Sequence, residues 1–160
     1  MGIFTGMNIS ASALTAQRLR MDVISNNIAN MDTTNTGQTT PAGNPVPYRR
    51  QVTVFQSRPS SHQFSTWLGK AKQSLSSEGV QVAAIREDPS PLRLEYDPDS
   101  PDAVREAEPG VPVGYVRYPN VNIVTEIIDM ISASRSYEAN VTALNASKAM
   151  AAKALEIGKE

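Results

Sequence analysis

The 160-residue chain contains no cysteine, one histidine, one tryptophan and three phenylalanines. Without cysteine there is no disulfide framework, thiolate nucleophile or zinc–thiolate site. The single histidine, His62, sits in a polar stretch without period, so a serine triad or multi-histidine metal site has nothing to complete it. It reads as an exposed loop residue. Few large aromatics beside 11 prolines and 9 glycines leave a thin supply of core material, and the middle of the chain reads as loosely packed. An excess of one charge is also missing: 15 basic against 16 acidic residues give a net charge of −1, and no basic run exceeds Arg49-Arg50. That excludes the electrostatic footprint of a nucleic-acid binder. No apolar run approaches the roughly 18 residues of a membrane span. No basic segment followed by a long apolar run marks a cleavable signal. The length fits one folding unit.

What is present is helical periodicity at both ends. Met7, Leu14, Met21 and Ile28 recur every seven residues, and a second row of Ile3, Ser10, Gln17, Ile24 and Met31 completes a heptad seam. Gly2 and Gly6 weaken the first turn, so the helix is expected to begin near Asn8 or Ser10 and to end in Asp32-Thr33-Thr34-Asn35-Thr36-Gly37. Toward the other end, Ile123, Ile127, Met130, Ser134, Tyr137, Val141, Leu144, Lys148, Ala151 and Leu155 alternate four and three apart. Val124, Ile128 and Ile131 widen this stripe, so its first half should be buried on more than one side. Asn120 or Asn122 can cap it. At 1.5 Å per residue such a helix is roughly 50 Å long, more than the remainder of the chain can cover. It needs a partner to lie against.

Between the helices the period changes to two. Tyr48 to Gln56, Gly79 to Ile85, Leu92 to Tyr96 and Gly114 to Tyr118 read as short strands separated by Gly, Pro and Asp, which favours an antiparallel β unit over a parallel sheet with long crossovers. Ser57 to Ser77, around Trp67-Leu68, has no sustained period and reads as an insertion. The expected fold is mainly α with a small β insertion: an N-terminal helix in 1–34, a central β and loop region in 35–118 with its insertion near 57–78, and a C-terminal helix in 119–160, the two helices forming a coiled-coil-like core.

Candidate sites for chemistry are weak. Asp97, Asp99 and Asp102 resemble part of a calcium loop, but Pro98 and Pro101 interrupt them and no Glu closes the loop, so turn formation explains them better. Glu78, Glu87, Asp88 and Glu95 could supply the paired carboxylates of a periplasmic peptidoglycan-cleaving enzyme, yet charges between short strands are ordinarily solvated. No cofactor, metal or small-molecule substrate is expected. Asn26, Asn27 and Asn30 are more informative, because Asn is a poor helix former and Asn27 falls among Ile24, Ile28 and Met31 on the apolar stripe. Either the amides lie in water at a fraying last turn, or Asn27 fixes register between helices. In the second case Asn27→Leu should impair assembly more than monomer stability. The tract from Ser132 to Asn140 combines small residues with Arg135, Glu138 and Asn140 around the seam residue Tyr137.

The run from Leu14 to Asn30, with its Ser25-Asn26-Asn27-Ile28-Ala29-Asn30, resembles the signature of flagellar rod and hook proteins. Pro47-Tyr48-Arg49-Arg50-Gln51, Asp88-Pro89-Ser90-Pro91-Leu92, Tyr118-Pro119-Asn120-Val121-Asn122 and Ser134-Arg135-Ser136-Tyr137-Glu138-Ala139-Asn140 narrow the likeness to proximal rod proteins over nearly the whole chain. Residues 57–78 and 104–113 look longer than the usual form. The resemblance implies a structural subunit without catalytic residues, whose terminal helices form the inner layer of a tubular shaft. It further implies export through the flagellar type III apparatus to the periplasmic part of the basal body, with other copies of itself and neighbouring rod proteins as partners. Leu14, Met21, Ile24, Asn26, Asn27, Ile28, Asn30, Ile127, Met130, Arg135, Tyr137, Glu138, Asn140, Val141, Leu144 and Leu155 are then the expected assembly surface. A helical adaptor of another secretion system is the alternative.

Overall fold

The computed structural model describes residues 3–58 and 79–157; His62, Trp67, Leu68 and Glu78 lie outside them. Helix α1 spans Ile3–Ala29, strands β1 Gln51–Ser57, β2 Val80–Glu87, β3 Arg93–Tyr96 and β4 Tyr115–Tyr118 follow, and helix α2 spans Ile123–Ile157. The chain is therefore mainly helical with short strands between its two long helices, as the switch of period predicts.

Two features depart from the sequence pattern. Helix α1 starts at Ile3 and runs through Asn8 and Ser10 without a cap at either. A glycine such as Gly6 costs only about 1 kcal/mol against alanine in a helix. That is too little to end a helix whose Met7 and Ile9 are partly covered. The β unit is two separate two-stranded sheets, β1–β2 and β3–β4. At one end of the first, the Arg58 N–H donates to Gly79 O at 2.9 Å, and at the other the Asp88 N–H donates to Arg50 O at 2.8 Å, so β1 and β2 run antiparallel. In the second, Arg93 faces Tyr118 and Tyr96 faces Tyr115. Residues 104–113, which look longer than the usual form, fold back beside β4: the Val104 N–H donates to Tyr115 O at 2.9 Å and Gly114 N–H to Val104 O at 3.0 Å.

Helix α2 begins as its sequence predicts. The Asn122 side-chain oxygen accepts from the N–H groups of Val124 and Thr125 at 3.0 and 3.3 Å, which satisfies two of the donors a helix leaves free at its start.

The chain divides into two compact units, one made of Met1–Arg20, Thr53–Ala84 and Ser132–Glu160, the other of Met21–Val52 and Ile85–Ile131. In the first, α1 receives the start of β2: Ser12 Oγ donates to Ile9 O at 2.7 Å and accepts from the Val80 N–H at 3.1 Å. The approach is close enough to require Gly79, whose φ is +110° and whose missing Cβ would stand 2.2 Å from Ser12 Oγ. In the second unit the buried apolar residues are Val23, Ile24, Ala103, Val104 and Val116, few and small, as the thin supply of aromatics implies.

Candidate assembly surface and the polar cluster on its inner side

Burial on α2 follows the apolar seam from Met130 onward and departs from it in the first two turns, where Ile123 and Ile127 are exposed. The covered positions follow Glu126, Met130, Ala133, Tyr137, Asn140, Leu144, Ser147 and Ala151, again four and three apart. The largest aliphatics at the start of the helix lie outside that row: Ile123, Val124, Ile127, Ile128 and Ile131 are exposed, Val124 and Ile128 at 62%. At 100° per residue Glu126 faces away from Val124 and Ile128, so the inner side of this segment is polar and the outer side apolar. Ordinary amphipathic order is inverted.

The inner side is polar because it closes an ion-pair cluster. Glu126 is fully buried. Its Oε1 accepts from Arg50 Nε at 2.6 Å and its Oε2 from Asn27 Nδ2 at 3.0 Å. Arg50 also reaches Asp88 and Asp129, each at 3.3 Å. Asn27, 1% exposed, uses its whole amide. Nδ2 donates to Gln51 O at 2.8 Å as well as to Glu126, while Oδ1 accepts from the Gln51 N–H and the Tyr48 hydroxyl, both at 2.9 Å. The side chain thus imitates a neighbouring peptide for Gln51, the first residue of β1, and ties α1, β1 and α2 together. Asn120 completes the frame, accepting from the Arg50 N–H at 2.9 Å and donating to Asp88 O at 3.2 Å.

The electrostatics follow this geometry. Burial disfavours the Arg50 charge, but hydrogen bonds and attraction from Glu126 and Asp88 outweigh it and raise the guanidinium's proton affinity further. Burial first, then the charges of Glu126 and Glu87, push the Tyr48 phenol above its ordinary value, which keeps it a donor toward Asn27. The hydroxyl and N–H of Ser90 hold the Asp88 carboxyl below its ordinary range, with Arg50 adding to the effect against a smaller opposing effect of burial.

A second polar knot pins the loops of the same unit. Asn44, also 1% exposed, donates to Glu106 O at 2.9 Å and Glu108 Oε1 at 2.8 Å and accepts from the Arg105 and Glu106 N–H groups. Glu108 in turn takes the Thr40 hydroxyl and pairs with Arg117 at 2.9 Å. The Thr40 and Asn44 bonds, followed by the Arg117 charge, lower the Glu108 carboxyl against the opposing effect of burial. Asp102, a member of the candidate calcium loop, accepts from Thr34 at 2.6 Å and Asn35 at 3.1 Å, while Ser100 N–H to Asp97 O and Ala103 N–H to Ser100 O shape the turn.

Of the residues singled out from sequence, Ile24 and Asn27 are buried, and Leu14, Met21, Ile28, Asn30, Met130, Tyr137, Asn140, Val141 and Leu144 are half-buried. Asn26, Ile127, Arg135, Glu138 and Leu155 are exposed. The two readings of the asparagine tract divide by residue: Asn26 and Asn30 bond each other at the end of α1, whereas Asn27 lies inside the subunit. Glu126, Arg50 and Asn44 were not singled out. Glu126 had a visible signal, a carboxylate flanked by Ile123, Ile127 and Met130 on one helical stripe.

The start of α2 thus turns a carboxylate inward and leaves its branched aliphatics exposed. Comparison gives the class. Residues 7–35 match the family model described as flagella basal body rod protein, and residues 113–157 match that described as flagellar basal body rod FlgEFG protein C-terminal. The chain is similar to flagellar basal-body rod protein FlgC of Bacillus subtilis, 50% identical over 99% of this chain and 100% of that one. It is similar to FlgC of Borreliella burgdorferi at 48% identity over 98% of each, and to that of Escherichia coli O157:H7 at 37% over 99% and 100%. The chain belongs to the FlgC family of flagellar basal-body rod proteins, structural subunits of the rod.

Proposed function

We propose that the subunit assembles into the rod shaft through the outer faces of α1 and α2, with the segment between them serving as a brace, and that it has no catalytic role. The observation that carries this is the outward apolar face of α2: five exposed branched aliphatics within nine residues, beside a buried carboxylate. Soluble monomers do not keep such a contiguous patch without a use for it. Leu14, Met21, Tyr137, Val141 and Leu144 then order the helices, and Ile127, Arg135, Glu138 and Leu155 meet neighbouring subunits. Among the described residues no helix is long and apolar enough to cross a membrane. Passage through the flagellar type III export apparatus to a periplasmic position, and transmission of motor torque by the finished shaft, go with this role.

Ile128→Asp tests it. The side chain is exposed, so the purified monomer should unfold within about 0.5 kcal/mol of the parent. Cells should nonetheless lack external flagella, because the charge would be buried without a partner in the assembled wall. Normal flagella in this variant would remove α2 from the assembly surface. His62→Ala tests the absence of catalysis and should leave motility intact.

A further inference from the structure

Strand β3 has one closed edge and one open edge. The Asp97 N–H donates to Gly114 O at 3.1 Å, and Glu95 faces Val116 as Arg93 faces Tyr118, so the backbone groups of residues 93, 95 and 97 turn toward β4. Those of Leu94 and Tyr96 turn away from it, and among the described residues no second strand meets them. The far edge of β4 is closed by Val104, which donates to Tyr115 O and accepts from the Gly114 N–H. Every residue of β3 is exposed, and an open edge of this kind is a template for one more strand. Leu94 and Tyr96 share one face of it. Tyr96 is 65% exposed yet held in place: its ring meets that of Tyr115 edge-on at 5.2 Å, and a Cβ at Gly114 would stand 3.1 Å from its Cε2. An aromatic side chain fixed beforehand loses little freedom when a partner covers it. The exposed carboxylates of Asp97 and Asp99 follow directly, and no cation among the described residues pairs with either. Arg93 lies on the opposite face, over the Tyr118 ring at 4.7 Å and 4.0 Å from Glu95, and Arg117, across from Leu94, is bound to Glu108.

We propose that β3 takes an extended basic segment of another protein as a third strand, with an aliphatic residue of that segment beside Leu94 and, two positions along, an Arg or Lys over the Tyr96 ring. Main-chain hydrogen bonds to the outward groups of Leu94 and Tyr96 supply affinity, and the side chains on the shared face supply the choice of partner. Side chains directly opposite on paired strands have Cβ atoms about 5 Å apart, within the roughly 6 Å over which a cation is drawn to an aromatic face. Asp97 and Asp99 make the same position favourable to a positive charge and unfavourable to a carboxylate. A second copy of this chain is a poor source of the segment: Arg49 and Arg50, its one adjacent pair of cations, are occupied by the Asp88 carbonyl and the Glu126 carboxylate. The contact is independent of the role assigned above to the outer faces of the helices.

The probe is the peptide acetyl-Ser-Thr-Arg-Thr-Val-Thr-Ser-amide, titrated into the isotope-labelled full chain and followed by NMR. Amide shifts should concentrate at Leu94 and Tyr96. Replacing the peptide's Arg by Glu should weaken binding about five- to tenfold, as should Tyr96→Ala or the pair Asp97→Asn and Asp99→Asn in the protein. Leu94→Pro removes an outward N–H and leaves the ladder to β4 intact, so it should abolish binding with little change in melting temperature. Should that variant misfold, Tyr96→Ala decides, since it alters no ladder group. Equal affinity for the Arg and Glu peptides, parental affinity in Tyr96→Ala, or shifts that avoid β3 would overturn the proposal. In cells, a photo-crosslinking phenylalanine analogue in place of Tyr96 should join this chain to a protein of different mass, and Leu94→Pro should remove the link. No link, a link that survives Leu94→Pro, or adducts only at multiples of this chain's own mass would overturn it as well.

Discussion

Arg50 Nε donates to Glu126 Oε1 at 2.6 Å across 76 residues of sequence, and the carboxylate it holds has no contact with solvent. An ion pair of this kind is a poor source of net stability, because desolvation offsets most of the attraction. Its removal by halves is another matter. Glu126→Ala leaves the Arg50 guanidinium and the Asn27 amide each short of an acceptor, and since Asp88 and Asp129 still pair with Arg50 the expected loss is about 2–3 kcal/mol, below that of a buried charge stripped of every partner. Glu126→Ala combined with Arg50→Met should cost less than the sum of the single changes. Urea titrations of the four proteins measure the coupling.

Asn27→Leu is expected to destabilise the free monomer, reversing the order that the sequence pattern predicts. The register that Asn27 fixes is internal, between α1, Gln51 and Glu126. Leucine leaves the Gln51 N–H and carbonyl unpaired, at about 1–3 kcal/mol for each buried group. Tyr48→Phe removes one of the same bonds and should cost about 1 kcal/mol. Loss of rods with an unchanged Tm in Asn27→Leu would contradict this placement.

The heptad spacing at both ends made the two helices legible, and the change to period two made the strands legible. Which face of α2 turns inward was not. A stripe as broad as Ile123 to Ile131 is apolar on two sides, and periodicity alone gives no reason to choose the side carrying Glu126 over the side carrying Val124 and Ile128. The choice depends on Arg50, Asp88 and Asn27, whose convergence is a property of the fold and not of any spacing. Asn44 and Glu108, 64 residues apart, were hidden for the same reason.

Gly79→Ala should destabilise the protein by about 1–3 kcal/mol, since alanine is strained at a φ of +110° and its Cβ would collide with Ser12 Oγ. Ser12→Ala in the same chain removes the oxygen, although the Ser12 Cβ remains 3.1 Å from the added carbon, and the backbone strain persists. The double variant should therefore recover part of the loss and no more. Gly43→Ala, where nothing lies within 4 Å, isolates the cost of positive φ and serves as the comparison.

Stability should fall in acid through Glu108 and Asp88, whose folded-state values are depressed from 4.5 and 3.8. In that range the unfolded chain binds more protons than the folded one, so stability rises with pH. The contribution of each carboxyl is complete above its unfolded value and is lost as pH falls through the folded value. Melting curves from pH 6 downward should hold level and then drop once pH passes below about 4.5. Glu108→Gln should make that drop shallower. An acid limb unchanged by Glu108→Gln would show that the Thr40–Asn44–Arg117 knot contributes no linkage.

A charge on α2 should act differently according to the face that receives it. Leu144 is half-buried on the covered row that runs through Ala133, Tyr137 and Asn140, whereas Ile128 is on the exposed side. Leu144→Asp places a carboxylate where the first unit covers the helix, so it should lower the monomer's own stability by about 2 kcal/mol or more through lost burial and desolvation. Ile128→Asp should leave the monomer unchanged. Both should abolish external flagella, but by separate routes: Leu144→Asp by loosening the distal half of α2 before assembly, and Ile128→Asp by blocking the wall contact of a well-ordered subunit. Circular dichroism of the purified chains distinguishes them, with reduced helicity and melting temperature in the first and parental values in the second. Equal loss of monomer stability in both would mean that the exposed aliphatic face is already covered within one chain. Normal flagella in Leu144→Asp cells would mean that the distal half of α2 takes no part in the inner layer of the rod.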